Sequence, residues 1–118
     1  LKVKNLNITI AESLKAYTKD VEKELEAVQK KVVSDGVRKI KQKSPVRKGT
    51  YASGWKMKKV VNGYVIYNAK RPGLTHLLEN GHAKRGGGGR VKGIKHIEPV
   101  EQEIIKDYLA ETERVLKK

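Results

Sequence analysis

Between positions 76 and 96 the chain collects the side chains best suited to acid–base or metal chemistry: His76, Glu79, His82 and His96. Imidazole and carboxylate move protons near neutral pH and ligate zinc, and His76 and Glu79, three residues apart, share a face if their stretch is helical. The spacing of the histidines nevertheless follows no regular ligand pattern. Glu79 is also the only acid between Asp35 and Glu98, so no second carboxylate is near for a two-metal centre or an acid–base pair. The chain has no Cys, which removes disulfides, thiolate nucleophiles and Cys-based zinc sites. The reading is that there is no catalytic set, no metal site and no cofactor.

Two further groups invite a phosphate. Gly86 to Gly89 present bare backbone amides, but a phosphate loop needs Gly-Lys-Ser/Thr opening a helix, and Arg90-Val91-Lys92-Gly93 follows instead. Lys56, Lys58, Lys70 and Arg71, with Tyr67 among them, form a candidate DNA-proximal basic surface. The net charge of +14 is unevenly spread: residues 1–29 sum to zero, 30–60 to +10, 61–97 to +6 and 98–118 to −2. A basic middle suits phosphates or acidic protein surfaces. A basic nucleic-acid-binding module or a small nuclease is the alternative function that this charge keeps open, although no element presents base-reading side chains.

The elements that must position these groups read as α+β: a long N-terminal helix, a small antiparallel β-sheet built on a hairpin, and a C-terminal helix. With 118 residues the expectation is one domain spanning 1–118. Residues 1–10 read as an extended arm, and Thr9-x-x-Glu12 fits a capping box, so a helix is expected from near Ile10. Leu14, Tyr17, Val21, Leu25, Val28 and Val32 then recur at helical spacing, and the pattern runs through Val37 and Ile40 to Ser44-Pro45. So long a rod must overhang a small domain or break at Gly36, which makes Leu14, Val21 and Val28 candidates for a subunit interface. A strand is expected from about Tyr51 to Val61. Asn62-Gly63 then signals a type I′ hairpin with Val61 opposite Tyr64, placing Trp55, Met57, Val61, Tyr64 and Ile66 on one face and Lys56, Lys58 and Tyr67 on the other. Thr75 to Gly81 looks like a helical turn closed by glycine. Residues 83–93, with Arg85 and Arg90 among four glycines, are expected to be a mobile basic loop. Pro99 and the acids around it open a last amphipathic helix over Val100–Leu116.

No window holds the roughly 18 apolar residues of a membrane span, and Leu1-Lys2-Val3-Lys4 lacks the apolar run of a secretion signal, so a cytoplasmic protein with no membrane partner is expected. Three short motifs then carry a resemblance: Ser44-Pro45-Val46-x-x-Gly49-x-Tyr51-x-Ser53-Gly54, Leu77-Leu78-Glu79-Asn80-Gly81-His82 and His96-Ile97-Glu98-Pro99-Val100. In order and spacing they resemble the head–tail joining, or tail-completion, family of long-tailed bacteriophages. Arg47-Lys48-Gly49 departs from the Asp-Thr-Gly common in that turn, and Lys95 stands where a proline is common. The resemblance implies a non-enzymatic virion protein at the neck, assembled in the host cytoplasm as a homo-oligomeric ring. Its partners would be other neck, connector and tail proteins, with non-specific contact to DNA in the channel. It also implies a structural role for His76, Glu79, His82 and His96 as hydrogen-bonding residues that pin the loop's two ends, and these four, with Arg85 and Arg90, are candidate interface residues toward a neighbouring subunit or partner.

Overall fold

The computed structural model describes residues 6–46, 49–84 and 86–117. In chain order the elements are β1 (Ile8–Ala11), α1 (Lys19–Lys43), α2 (Thr50–Ser53), β2 (Trp55–Val60), β3 (Gly63–Asn68), α3 (Leu74–Asn80), β4 (Gly81–Ala83), β5 (Arg90–Lys92) and α4 (Ile97–Leu116). The fold is α+β. β3 lies at the centre of a three-stranded antiparallel sheet between β1 and β2, and β4 and β5 form a separate two-stranded ribbon. One face of the sheet, with Ile8, Ile10, Trp55 and Ile66, is buried against α1 and α4. None of the described helices is long and apolar enough to cross a membrane.

The first helix starts later than the sequence pattern suggests. Residues Ile8–Ala11 pair with β3, Ile8 opposite Ile66 and Ala11 opposite Gly63, so the expected arm is in part a strand, and residues 1–5 lie outside the described residues. Thr9 therefore caps nothing. The cap is Thr18, whose side chain accepts from the Val21 N–H, with Asp20 and Glu22 in the first turn where the helix dipole favours acids. α1 then runs unbroken for 25 residues, about 37 Å at 1.5 Å per residue.

Gly36 does not break α1 because it serves a crossing. α4 runs antiparallel beside α1, with Lys43 Nζ 2.9 Å from Glu103 and Lys39 Nζ 3.1 Å from Asp107, and a Cβ at position 36 would press into the Ile104 side chain. Nor does the apolar stripe of α1 outrun the chain's own core. Leu14, Leu25, Val28, Val32, Val33 and Ile40 are buried together, and Tyr17, Val21 and Val37 pack against them. The rod is accommodated by an elongated molecule of 59 × 27 × 21 Å, with the two helices side by side. Leu14 and Val28 are thus internal, Val21 is half-buried, and the stripe supplies no argument for a subunit interface.

The hairpin forms where Asn62-Gly63 places it, in a different register. Val60 pairs with Gly63 and Met57 with Ile66, leaving Val61 and Asn62 as the turn. Asn62, the second of the two, takes a positive φ of 63°, but Val61, the first, does not, so the turn is not type I′. Gly63 is required for another reason: a Cβ there would overlap the carbonyl oxygen of Ile10 on β1. Because the register moves by an even number of positions, the assigned faces survive except at Val61, which is 83% exposed. The first turn after the Ser44-Pro45 break is also helical rather than extended, since Thr50–Ser53 form α2.

Two substitutions separate these glycines. Gly63→Ala is expected to cost more stability than Gly36→Ala in urea unfolding, because the first meets fixed backbone. The second meets a side chain, at about 1–3 kcal/mol for overpacking, offset by about 1 kcal/mol of helix propensity.

Candidate functional site: a buried polar node and two exposed surfaces

α4 begins among buried groups, so its first N–H groups need partners inside the protein. Glu79, at the end of α3 and 3% exposed, supplies them. Its Oε1 accepts from the backbone N–H of His96 and of Ile97, both at 2.8 Å, and its Oε2 accepts from Glu98 N–H at 3.0 Å. The next residue is Pro99, which has no N–H to satisfy. One carboxylate from a distant helix thereby completes the cap of α4, where the helix dipole also favours negative charge.

His96 extends the node. Its Nδ1 donates to the Ile94 carbonyl at 2.7 Å and lies 3.0 Å from Glu79 Oε1. Facing two acceptors, Nδ1 carries the proton, and Nε2 accepts from the Tyr51 hydroxyl at 2.6 Å. The Tyr51 ring meets Trp55 edge-on at 5.6 Å, Trp55 Nε1 donates to Ser44 Oγ at 2.8 Å, and Ser44 Oγ donates to the Ile40 carbonyl at 2.5 Å. Asn68 Nδ2 donates to the Tyr51 carbonyl at 2.8 Å and its Oδ1 accepts from Arg71 N–H. The three motifs singled out in the sequence are therefore one network. It joins the end of α1 (Ser44), α2 (Tyr51), the end of α3 (Glu79) and the start of α4 (His96). Burial and the nearby Glu79 charge push the Tyr51 hydroxyl well above its ordinary range, so it stays a neutral donor.

Every oxygen of Glu79 is thus occupied by hydrogen bonds within the fold, a cap's arrangement rather than that of a free general base. The other histidines stand apart from it. His76 Nδ1 pairs with the Asn80 side chain at 3.2 Å, and His82 is on β4. Among the described residues no group of three or more His, Asp and Glu is arranged to hold a metal ion. Arg85 lies outside the described residues, and Arg90 is exposed on β5. The stretch expected to be a structureless loop thus carries the β4–β5 ribbon, Gly81 facing Lys92 and Ala83 facing Arg90. Gly81 at φ 80°, and Gly86, Gly87 and Gly89, also at positive φ, let the chain turn there.

Two open surfaces, among others of the described residues, adjoin these groups. On the outer face of the sheet Lys56 and Lys58 are exposed, Lys56 pairs across the strands with Tyr67, and the Lys58 ammonium lies 5.1 Å from the Tyr67 ring centroid. Lys70 and Arg71 follow in the turn after β3, Lys70 donating to Ser53 Oγ, so the basic group assigned from sequence is adjoining in space. The second surface, which sequence reasoning missed, is an apolar cleft of about 370 Å³ lined chiefly by Pro45, Thr50, Tyr51, Leu74, Leu77, Leu78 and His82. Its only sequence signal was the Leu77-Leu78 pair, too short a run to be read as a surface.

A family model described as "Bacteriophage HK97-gp10, putative tail-component" matches residues 9–81 of the chain, more than half its length. No curated protein and no solved structure matches it.

The Glu79 cap has a pH signature. Burial works to raise its pKa, but the N–H groups of His96, Ile97 and Glu98, with His96 itself, outweigh that and hold it below the ordinary value. A depressed folded pKa gives stability that is complete above the unfolded carboxylate value of about 4.3 and is lost as pH falls through the lower folded value. Glu79→Gln is expected to cost about 2 kcal/mol or more, because its NH2 must face a backbone N–H, and to flatten the acid side of the urea-midpoint profile. A variant profile parallel to wild type between about pH 3 and pH 6 would rule out the charged cap.

Proposed function

Because the chain belongs to the HK97-gp10-like family of phage tail components, we propose that it is a virion protein of the head–tail joint. In this reading residues 1–118 act as one neck or tail-completion domain. It assembles in the host cytoplasm as a homo-oligomeric ring between connector and tail tube, contacts the other neck and tail proteins, and works by binding rather than by catalysis. The observation that carries the reading beyond the family is the buried node. The motifs that resemble head–tail joining proteins converge on it, and its glutamate, histidine and tyrosine are spent on fixing helices, while the uncovered surfaces are apolar or basic.

A specific test separates this position from other places in a tail. In a phage deprived of the chain, filled heads and complete but unattached tails are expected by electron microscopy. Heads accompanied by no tails at all would instead assign it to the tube or its assembly machinery.

A second reading, non-specific contact with DNA, is favoured by one feature, the open sheet face with Lys56 and Lys58 around Tyr67. In a ring that face would turn to the channel, and Lys70 and Arg71 would extend it. Each phosphate contact contributes roughly 0.9 to the slope of log K against log salt on duplex DNA. The double change Lys56→Gln, Lys58→Gln is therefore expected to lower the slope by about 2. An unchanged slope would leave that face to an acidic protein surface.

A further inference from the structure

α4 buries one face and leaves another bare. Val100, Ile104, Tyr108 and Val115 point into the core, whereas Ile105, Leu109 and Leu116 are 44%, 62% and 46% exposed. At spacings of four and seven these three share one side of the helix, with the half-buried Thr112 between Leu109 and Leu116. Apolar side chains in a continuous exposed row mark a contact surface more often than scattered ones do. The same chain offers a concave counterpart in the cleft between α2 and α3, where Leu74 is 37% exposed.

The charges around the two surfaces are opposite. α4 carries six carboxylates against Lys106 and Arg114, and among the described residues Glu98 and Glu101 have no ion-pair partner. Residues 70–96, from which Arg71, Leu74, Leu77, Leu78 and His82 line the cleft, carry in sequence seven Lys and Arg against the single, buried Glu79. The cleft itself is edged by Arg71. A convex apolar helix face with acidic flanks and a concave apolar cleft edged by Arg71 match in polarity and in sign.

We propose that copies of this chain join head to tail, the Ile105–Leu109–Leu116 face of α4 on one copy seating in the Pro45–Leu74–Leu77 cleft of the next. The contact deepens the ring reading above and rests on it. Two different patches make the interface heterologous, and repetition of a heterologous contact produces a closed ring when the rotation between copies closes. Leu109, the most exposed of the three, is the anchor side chain, and the carboxylates on α4 meet Arg71 and its basic neighbours at the rim.

The test uses the complete chain and two surface substitutions, Leu74→Asp in the cleft and Leu109→Glu on α4, with circular dichroism and thermal melting to establish that each variant folds. In light scattering over a concentration series, the wild type is expected to form oligomers. Each variant alone should remain monomeric, with the association constant lowered at least about tenfold. Mixed in equal amounts, the variants should form a dimer of one of each and nothing larger, since the Leu74→Asp chain keeps an intact helix face and the Leu109→Glu chain an intact cleft. If only Leu109→Glu prevents assembly and the mixture yields no dimer, the helices pair with each other and the proposal is overturned. Wild-type oligomers that survive both substitutions overturn this contact while leaving the ring. A wild-type chain that stays monomeric throughout the series, and does not assemble on connector-bearing heads, overturns both.

Discussion

One carboxylate governs how this small chain holds its shape. The start of α4 has three N–H groups with no helical partner, two of them on the buried residues His96 and Ile97, and Glu79 of α3 accepts all three. A buried carboxylate is costly unless its oxygens are saturated by donors. Here they are, and the His96 Nδ1 proton beside Oε1 adds to them. The requirement runs both ways: α4 needs the acid for its amides, and the acid needs α4 to be tolerable at all. Such mutual dependence fixes α3 against α4 more narrowly than apolar packing alone, because a shift of one residue along α4 would strand both donor and acceptor. Tyr51, Trp55 and Ser44 then pass the constraint to the C-terminal end of α1. The middles of α1 and α4 are joined by a second, smaller set, in which Gln29 donates to the Asn62 carbonyl and to Tyr108, and Tyr108 donates to Glu12.

How far the sequence disclosed this depends on the range of the interactions involved. Features set within a few residues were legible. These include the α+β order of elements, the hairpin at Asn62-Gly63, the glycine-closed turn at Gly81, and the helix stop at Ser44-Pro45. Features set by contacts between distant segments were misread in informative ways. Thr9 and Glu12 have the spacing of a capping box, yet β3 needed a partner strand, and Ile8–Ala11 went to the sheet instead. Gly36 resembled a weak point in a helix because the sequence cannot display Ile104 arriving across the groove. Gly63 looked like a turn residue, whereas the backbone of β1 is what excludes a side chain there.

The candidate site divides along the same line. The poverty of carboxylates around the histidines spoke against catalysis, and a structural role for Glu79 and His96 was implied only by the family resemblance. Which of the three histidines joined Glu79 was not legible, since His76 is nearer in sequence and has the helical spacing. His96 holds that place because it precedes the helix being capped, a relation that exists only once α3 and α4 have met. The apolar stripe of α1 misled in the opposite sense. Its length was real, but the length of α4 was the missing half of the comparison, and two long antiparallel helices cover each other without any help from outside.

That covering decides where assembly surfaces can lie. With the stripe of α1 engaged, the exposed apolar side chains include Ile105, Leu109 and Leu116 on the outer face of α4 and Leu74 in the cleft beside α3, the two helices that the Glu79 cap joins. The cap therefore sets more than stability. In a head-to-tail contact the angle between a copy's helix face and its own cleft determines the rotation from one subunit to the next, and a rotation that drifts gives an open filament in place of a ring. Apolar packing tolerates small slides, but a saturated carboxylate with three directional N–H bonds does not. In the proposed contact a buried polar node between the two helices would hold that angle, and its cost in desolvation is offset by the three N–H bonds that saturate the carboxylate.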